Sequence, residues 1–342
     1  MKKLYLHIGT HKTGTSSLQQ LCYKYYRELN NENINILRHN EIPYKSNFND
    51  GSVAREKLVI SLNKWLEKNL KPYEKHFLCW ENFSGDLFTL YENRMRNLEV
   101  LKEAIPDNLE LSLIVVFRRQ DDFLQSAYSQ AKHQGDFDDS SKHFLNNEYK
   151  TGIDWFKYVN ELKEVFPKAK LNALPYDKSL FKVKPLHILI GEIINSDFLI
   201  SYKQKQVVNV GMSTEAMKLF QSVNIEDNSD KSSQKLLRRI LQKVSNKGIF
   251  NEYNYISYEQ KLKLLSLYDE SNKKLAQYYW KDKYNISNFS KPCNPKNYNL
   301  DEEQLQKRVI QELLSLVKKQ KDREKNSILL KIANKVNRVT GL

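Results

Sequence analysis

Leu4-Tyr5-Leu6-His7-Ile8 runs straight into Gly9-Thr10-His11-Lys12-Thr13-Gly14-Thr15-Ser16-Ser17. The first five residues form a short apolar run bounded by a turn signal, which reads as a strand. From Ser16 the apolar residues fall at Leu18, Leu21, Cys22, Tyr25 and Leu29, a helical spacing, and Thr15 or Ser16 can cap that helix. A glycine-bounded loop between a strand and a helix presents backbone N–H groups to an anion. Gly9 and Gly14 are separated by four residues, as in the nucleotide P-loop. That loop carries Lys directly after its second glycine, then Ser or Thr for magnesium. Here Thr15 holds the lysine's place, and the lysine is Lys12, inside the loop. From there it can sit over the bond to a leaving group rather than embrace a γ-phosphate. A Gly-Thr turn alone is an ordinary strand-to-helix connection. The strand, the immediate helix, Lys12 and the run of hydroxyls together point to phosphate.

Working outward, Asn33–Leu37 is a weaker strand and Val59–Leu70 is helical. His76–Trp80 is a strand followed by Glu81-Asn82, and Leu111–Phe117 is the strongest buried-strand signal, ending at Arg118. Phe123–His133 and Trp155–Val165 are helical, and Leu171–Leu174 is a further strand closed by Pro175-Tyr176-Asp177. Strands alternating with helices predict an α/β fold: a P-loop-like central parallel sheet flanked by helices. Residues 212–285 read as helices joined by polar loops, helical additions in the C-terminal half. Residues 301–342 hold two more helical patterns, with a stripe at Ile328, Ile332, Val336 and Val339. No Pro/Ser-rich linker cuts the first 300 residues. One domain, 1–300, with a basic helical extension, 301–342, is therefore expected.

The 342 residues are 40% hydrophobic and 28% charged, a globular mix able to bury a sizeable core. Lys and Arg number 55 against 41 Asp and Glu, a net charge of +14, which favours anionic partners without choosing among them. From Lys318 onward eight basic residues face two acidic ones, so part of that excess is local. The three cysteines, Cys22, Cys79 and Cys293, lie far apart with no CxxC pair, so a reduced, cytoplasmic setting is the default. The apolar stretch behind Lys2-Lys3 is too short for a signal peptide. No apolar run approaches the roughly 18 residues of a membrane span. The seven histidines show no HExxH spacing and no Cys partner, so no metal site is expected.

The segment His7 to Gln19, His-Ile-Gly-Thr-His-Lys-Thr-Gly-Thr-Ser-Ser-Leu-Gln, resembles the phosphosulfate loop of sulfotransferases dependent on 3′-phosphoadenosine 5′-phosphosulfate (PAPS). The likeness is to their bacterial, carbohydrate-acting branch. It implies that His11, Lys12, Thr13, Gly14, Thr15 and Ser16 line the 5′-phosphosulfate site, with Lys12 stabilising the bridging oxygen. Ser17 departs from the aromatic residue of cytosolic members, so an adenine-stacking role there is lost. The family also carries an Arg at the end of a buried strand and a Ser eight residues on, for the 3′-phosphate. The segment Val116–Gln130 is similar, which implies that role for Arg118 and Ser126. Arg119 is the alternative to Arg118. The planar fork of arginine suits phosphate. The resemblance further places Tyr176 near adenine. It reaches to about residue 290, and only the two phosphate segments are specific.

Transfer of a sulfuryl group to an alcohol needs the hydroxyl proton removed. The resemblance implies Glu81 as that base, with His39 and Glu41 as rivals, and a carboxylate base needs its pKa raised by burial beside Trp80 or Phe83. His133 is on the acceptor side or on the surface. The implied activity is a PAPS-dependent sulfotransferase acting in line on a carbohydrate hydroxyl, of a surface or capsular polysaccharide or its lipid-linked precursor. It needs no metal and no nucleic acid. The alternatives are a P-loop nucleotide or sugar kinase using ATP and magnesium, and a polyanion or nucleic-acid binder without catalysis. The basic helix around Ile328–Val339 packs on the domain or a partner, or lies peripherally on the inner face of a membrane.

Overall fold

A computed structural model describes residues 2–48, 51–133, 152–203, 212, 214–227, 231–245, 255–281, 283–284, 292, 307, 309–311, 332 and 335–336. The chain divides into two compact units. The first comprises Met1–Ala127, Lys142–Gln204 and Glu259–Cys293, and the second Tyr128–Ser141, Lys205–Tyr258 and Asn294–Leu342. The boundary expected at residue 300 does not coincide with these units.

The first unit is built on five strands: β1 (Lys2–His7), β2 (Ile34–Leu37), β3 (Lys75–Cys79), β4 (Leu109–Arg118) and β5 (Lys170–Tyr176). Their order is β2-β3-β1-β4-β5, and every pairing is parallel, as the alternation of strands and helices predicts. Between them run α1 (Thr15–Lys24), α2 (Tyr26–Asn31), α3 (Arg55–Asn69), α4 (Arg94–Ala104), α5 (Gln120–His133) and α6 (Trp155–Val165). Short helices α7 (Lys178–Val183), α8 (Leu186–Ile194) and α9 (Asp197–Ser201) follow β5. The helix expected to run from Ser16 past Leu29 breaks at Tyr25.

A parallel sheet covered on both faces is apolar throughout, and β4 shows it: Leu113 to Phe117 are all buried. Alternation along the strand sends Ile114 and Val116 into one cluster with Tyr5, Phe77, Leu18 and Cys22 of α1, and Ile190 of α8. Phe117 points the other way, onto Trp155 and Tyr158 of α6. Because all five strands are parallel, their carboxyl ends share one edge, where ligands of open α/β sheets bind. Register aligns those ends: His7 opposite Cys79 and Ile114, Arg118 opposite Tyr176.

The second unit contains α10 (Thr214–Asp227) and α11 (Lys231–Ser245), which pack on each other. Their core includes Met217, Phe220, Leu237 and Leu241, together with Val309, Ile332 and Val336. Two of the four residues of the predicted C-terminal stripe are thus turned into this core; Ile328 and Val339 lie outside the described residues. In the first unit, helices α12 (Tyr258–Leu267) and α13 (Asp269–Leu275) lead into a π-turn at Ala276–Trp280. There the Trp280 indole donates to the Ala173 carbonyl at 3.0 Å. Among the described residues no helix is long and apolar enough to cross a membrane. Cys22 and Cys79 are free and buried; Cys293 lies outside the described residues.

Candidate active site

The loop from β1 to α1 is stitched to the neighbouring strand by its backbone. The Val116 N–H donates to the Gly9 carbonyl at 2.6 Å, and both the N–H and the hydroxyl of Thr10 donate to the Val116 carbonyl at 2.9 Å. Thr13 closes the loop internally, its hydroxyl donating to the Thr10 carbonyl at 2.7 Å. That commits the proton of the Thr13 hydroxyl, so what this residue offers a phosphate is its backbone. Gly9, with φ +114°, passes so close to the next turn that a Cβ would sit 3.3 Å from the Glu81 Cβ and 3.1 Å from the Ser84 hydroxyl. Gly14 occupies the N-cap of α1 at φ +95°, a left-handed conformation suited to glycine.

The cap differs from expectation: it is Gly14, not Thr15 or Ser16, and among the described residues no side chain caps the start of α1. Thr15 is already the first residue inside the helix, and its hydroxyl donates to the Glu81 carboxylate at 3.3 Å. Ser16 is exposed. The first N–H groups of α1 therefore carry the positive end of the helix dipole without a side-chain acceptor, the arrangement an anion occupies.

His11, expected to line the nucleotide site or only to shape the loop, has its ring engaged by two partners. Its Nε2 lies 3.1 Å from Asn82 Oδ1, which only accepts, so the proton is on Nε2. Nδ1 then accepts from the Tyr91 hydroxyl at 3.2 Å, and the same oxygen accepts the His11 backbone N–H at 3.0 Å. Burial pushes this imidazole below its usual pKa, with Glu81 pulling the other way. His11 is a neutral clamp on the loop. Tyr91 and Asn82 were missed by sequence reasoning, because they lie 80 and 71 residues away with no motif of their own.

Glu81 opens a single turn, Glu81–Ser84, that touches the loop through three residues. Its carboxylate accepts from Thr15 and, at 3.1 Å, from Gln19 Nε2, while the same Gln19 nitrogen holds the Cys79 carbonyl at 2.9 Å. Asn82 holds His11, and the Ser84 hydroxyl donates to the Ile8 carbonyl. Of the rivals, Glu41 is exposed, and His39 has Nδ1 committed to the Tyr23 hydroxyl at 2.6 Å. Burial also lowers the pKa of His39. His7, under the loop on β1, meets Cys79 Sγ through Nδ1 at 3.0 Å, and burial pushes its pKa down to about 4.

At the end of β4 the two adjacent arginines separate. Arg119 turns inward and is neutralised by Asp121, at 2.5 Å and 2.9 Å, and by Asp122 at 3.5 Å. Arg118 turns to the glycine loop and donates through Nη1 to the Lys12 carbonyl at 3.0 Å. Its guanidinium stacks over the Tyr176 ring at 5.0 Å, its own carbonyl accepts from the Trp155 indole at 2.7 Å, and its Nε is buried with no partner. A buried donor without an acceptor costs free energy, and a bound anion would relieve it. Ser126 lies half-buried on α5 and makes no hydrogen bond among the described residues. The side chain of His133 lies outside what the structure describes. Lys12, Glu81, Arg118 and Tyr176 thus converge at one sheet edge. Among the described residues no cluster of His, Cys, Asp and Glu could hold a metal ion.

No protein-family model matches the chain. An uncharacterised protein of Archaeoglobus fulgidus is 27% identical over 187 residues, covering 53% of this chain and 50% of that protein. The chain therefore spans about half the length of this curated relative. A solved structure, a sulfotransferase from Alicyclobacillus acidocaldarius, is similar with a TM-score of 0.35 and 13% identity, over 69% of this chain and 99% of that one.

Proposed function

We propose that the protein is a sulfotransferase that takes a sulfuryl group from PAPS and passes it to a hydroxyl of a carbohydrate acceptor. The observation that carries this is the meeting of an uncapped helix N-terminus behind the Gly9–Gly14 loop with Arg118 and its unpartnered, buried Nε. A nucleotide phosphorylated at both its 5′ and 3′ positions needs two separate sets of donors, and these are two sets. When bound, PAPS supplies a sulfuryl group whose departure leaves negative charge on its 5′-phosphate. Thr13, Gly14, Thr15 and Ser16 supply backbone N–H groups and the helix dipole to that end, and Lys12 supplies a full positive charge. Arg118 and Ser126 supply donors to the 3′-phosphate, and Tyr176 a ring beside the base. Glu81 accepts the proton of the attacking hydroxyl; Gln19 and Thr15 hold its carboxylate in place. The motif likeness of His7–Gln19 to the carbohydrate-acting branch supports a glycan acceptor.

The test is a thermal-shift titration with 3′-phosphoadenosine 5′-phosphate, 5′-AMP, and ATP with magnesium. A ligand at 100 times its Kd adds about 2.7 kcal/mol of stability. Stabilisation by the 3′-phosphorylated compound, lost in Arg118→Ala, is the expected result. A response to ATP with magnesium and none to the 3′-phosphate compound would replace this function with that of a kinase.

A further inference from the structure

We infer that Arg118 couples the two phosphate sites: through the Lys12 carbonyl it holds the glycine loop in the shape that binds the 5′ end, while its remaining donors serve the 3′-phosphate. This rests on the donor nucleotide proposed above and assigns the residue a second task. Lys12 has φ +64°, a left-handed conformation that a non-glycine residue enters at a cost, so the loop needs outside support there. The support comes from 106 residues away, at 3.0 Å, from Arg118 Nη1. The Lys12 carbonyl and the Thr13 N–H share one trans peptide and point in opposite directions. A guanidinium on that carbonyl therefore turns the Thr13 N–H away from itself.

The guanidinium is held for this purpose. The Tyr176 ring lies 5.0 Å from its centre, and the Trp155 indole pins the Arg118 carbonyl at 2.7 Å. Its five N–H groups lie in one plane, so Nη1 can remain on the loop while the donor at Nε, buried and without a partner, is offered elsewhere. An arginine serving the 3′-phosphate alone would have no reason to grip the loop. Lysine, a point charge without a fork, cannot hold both at once.

The consequence is measurable with a ligand that lacks the 3′-phosphate. Isothermal titration of the whole protein uses 3′-phosphoadenosine 5′-phosphate and adenosine 5′-phosphosulfate as probes. Arg118→Ala should weaken the first by about 100-fold and the second by about tenfold, since hydrogen bonds to charged groups are lost in both. Ser126→Ala should weaken only the first. Arg118→Lys should recover at most one of the two affinities. Adenosine 5′-phosphosulfate binding that is unchanged in Arg118→Ala, or full recovery of both affinities by Arg118→Lys, overturns the coupling. Circular dichroism confirms that each variant is folded; if Arg118→Ala is not, the lysine variant decides. Wild-type protein that binds neither probe overturns the donor nucleotide itself, which separates that failure from this one.

Discussion

The connections from β1 to α1 and from β4 to α5 leave the same edge of the sheet and treat charge in opposite ways. The β4–α5 turn neutralises itself: Arg119 is 7% exposed and shares two hydrogen bonds with Asp121, which is wholly buried. The β1–α1 loop does not: the cap of α1 is a glycine with no side chain, Glu81 meets the helix start only at the Thr15 hydroxyl, and the arginine that reaches the loop keeps a buried donor without an acceptor among the described residues. Two arginines one residue apart thus have different fates. A buried charge facing its own carboxylate is structure. An arginine that keeps an unpartnered buried donor beside a glycine-capped helix start is where an anion can be held.

Substitutions at these positions break or sharpen the contrast. The largest expected effect is on stability: Arg119→Ala leaves Asp121 buried without its partner and should lower the unfolding free energy by about 4 kcal/mol. Arg118→Ala should cost only about 2 kcal/mol, the value of one hydrogen bond made by a charged group. Urea denaturation compares the two; equal losses would erase the distinction. Next is acid sensitivity beneath the loop. His7 has its folded pKa depressed from 6.5 to about 4, so between these values the unfolded chain binds the extra proton. Its stabilising contribution is present above pH 6.5 and is lost as pH falls toward 4, about 3 kcal/mol in all. His7→Gln should flatten the fall in stability between pH 7 and pH 4; an unchanged slope would place the acid sensitivity elsewhere.

On the acceptor side, Glu81→Gln should reduce consumption of labelled PAPS by about 100-fold while nucleotide affinity holds, as loss of a general base predicts. Full turnover would return attention to His39 and Glu41. The smallest effect is at Gly14, where a Cβ has room, its nearest neighbour being Leu186 Cδ2 at 3.7 Å. Gly14→Ala should therefore cost about 1 kcal/mol, the strain of the left-handed backbone alone, measurable by thermal unfolding. A larger loss would mean that the loop as a whole depends on this cap.

Much of this was legible in the chain. The five strands, the parallel sheet and the strand–loop–helix opening follow from apolar runs and glycine punctuation, which are local properties. So does the placing of Glu81, Arg118 and Tyr176 at strand ends, and of Lys12 in the loop after β1, because a parallel sheet gathers those ends along one edge. The cap of α1 was misplaced, because Thr15 has a choice that local sequence does not reveal: it can turn to its own helix or to Glu81, 66 residues on.

Sequence by itself determined which residue types stand at the end of each strand, since hydrophobic periodicity and glycine positions act over a few residues. Only the tertiary structure decided which of Arg118 and Arg119 faces the loop, that His11 is clamped by Tyr91 and Asn82, and that Gln19 holds Glu81. Each of those outcomes depends on a partner brought in across the sheet or from a distant turn. Local spacing carries no information about such a partner until the fold supplies it.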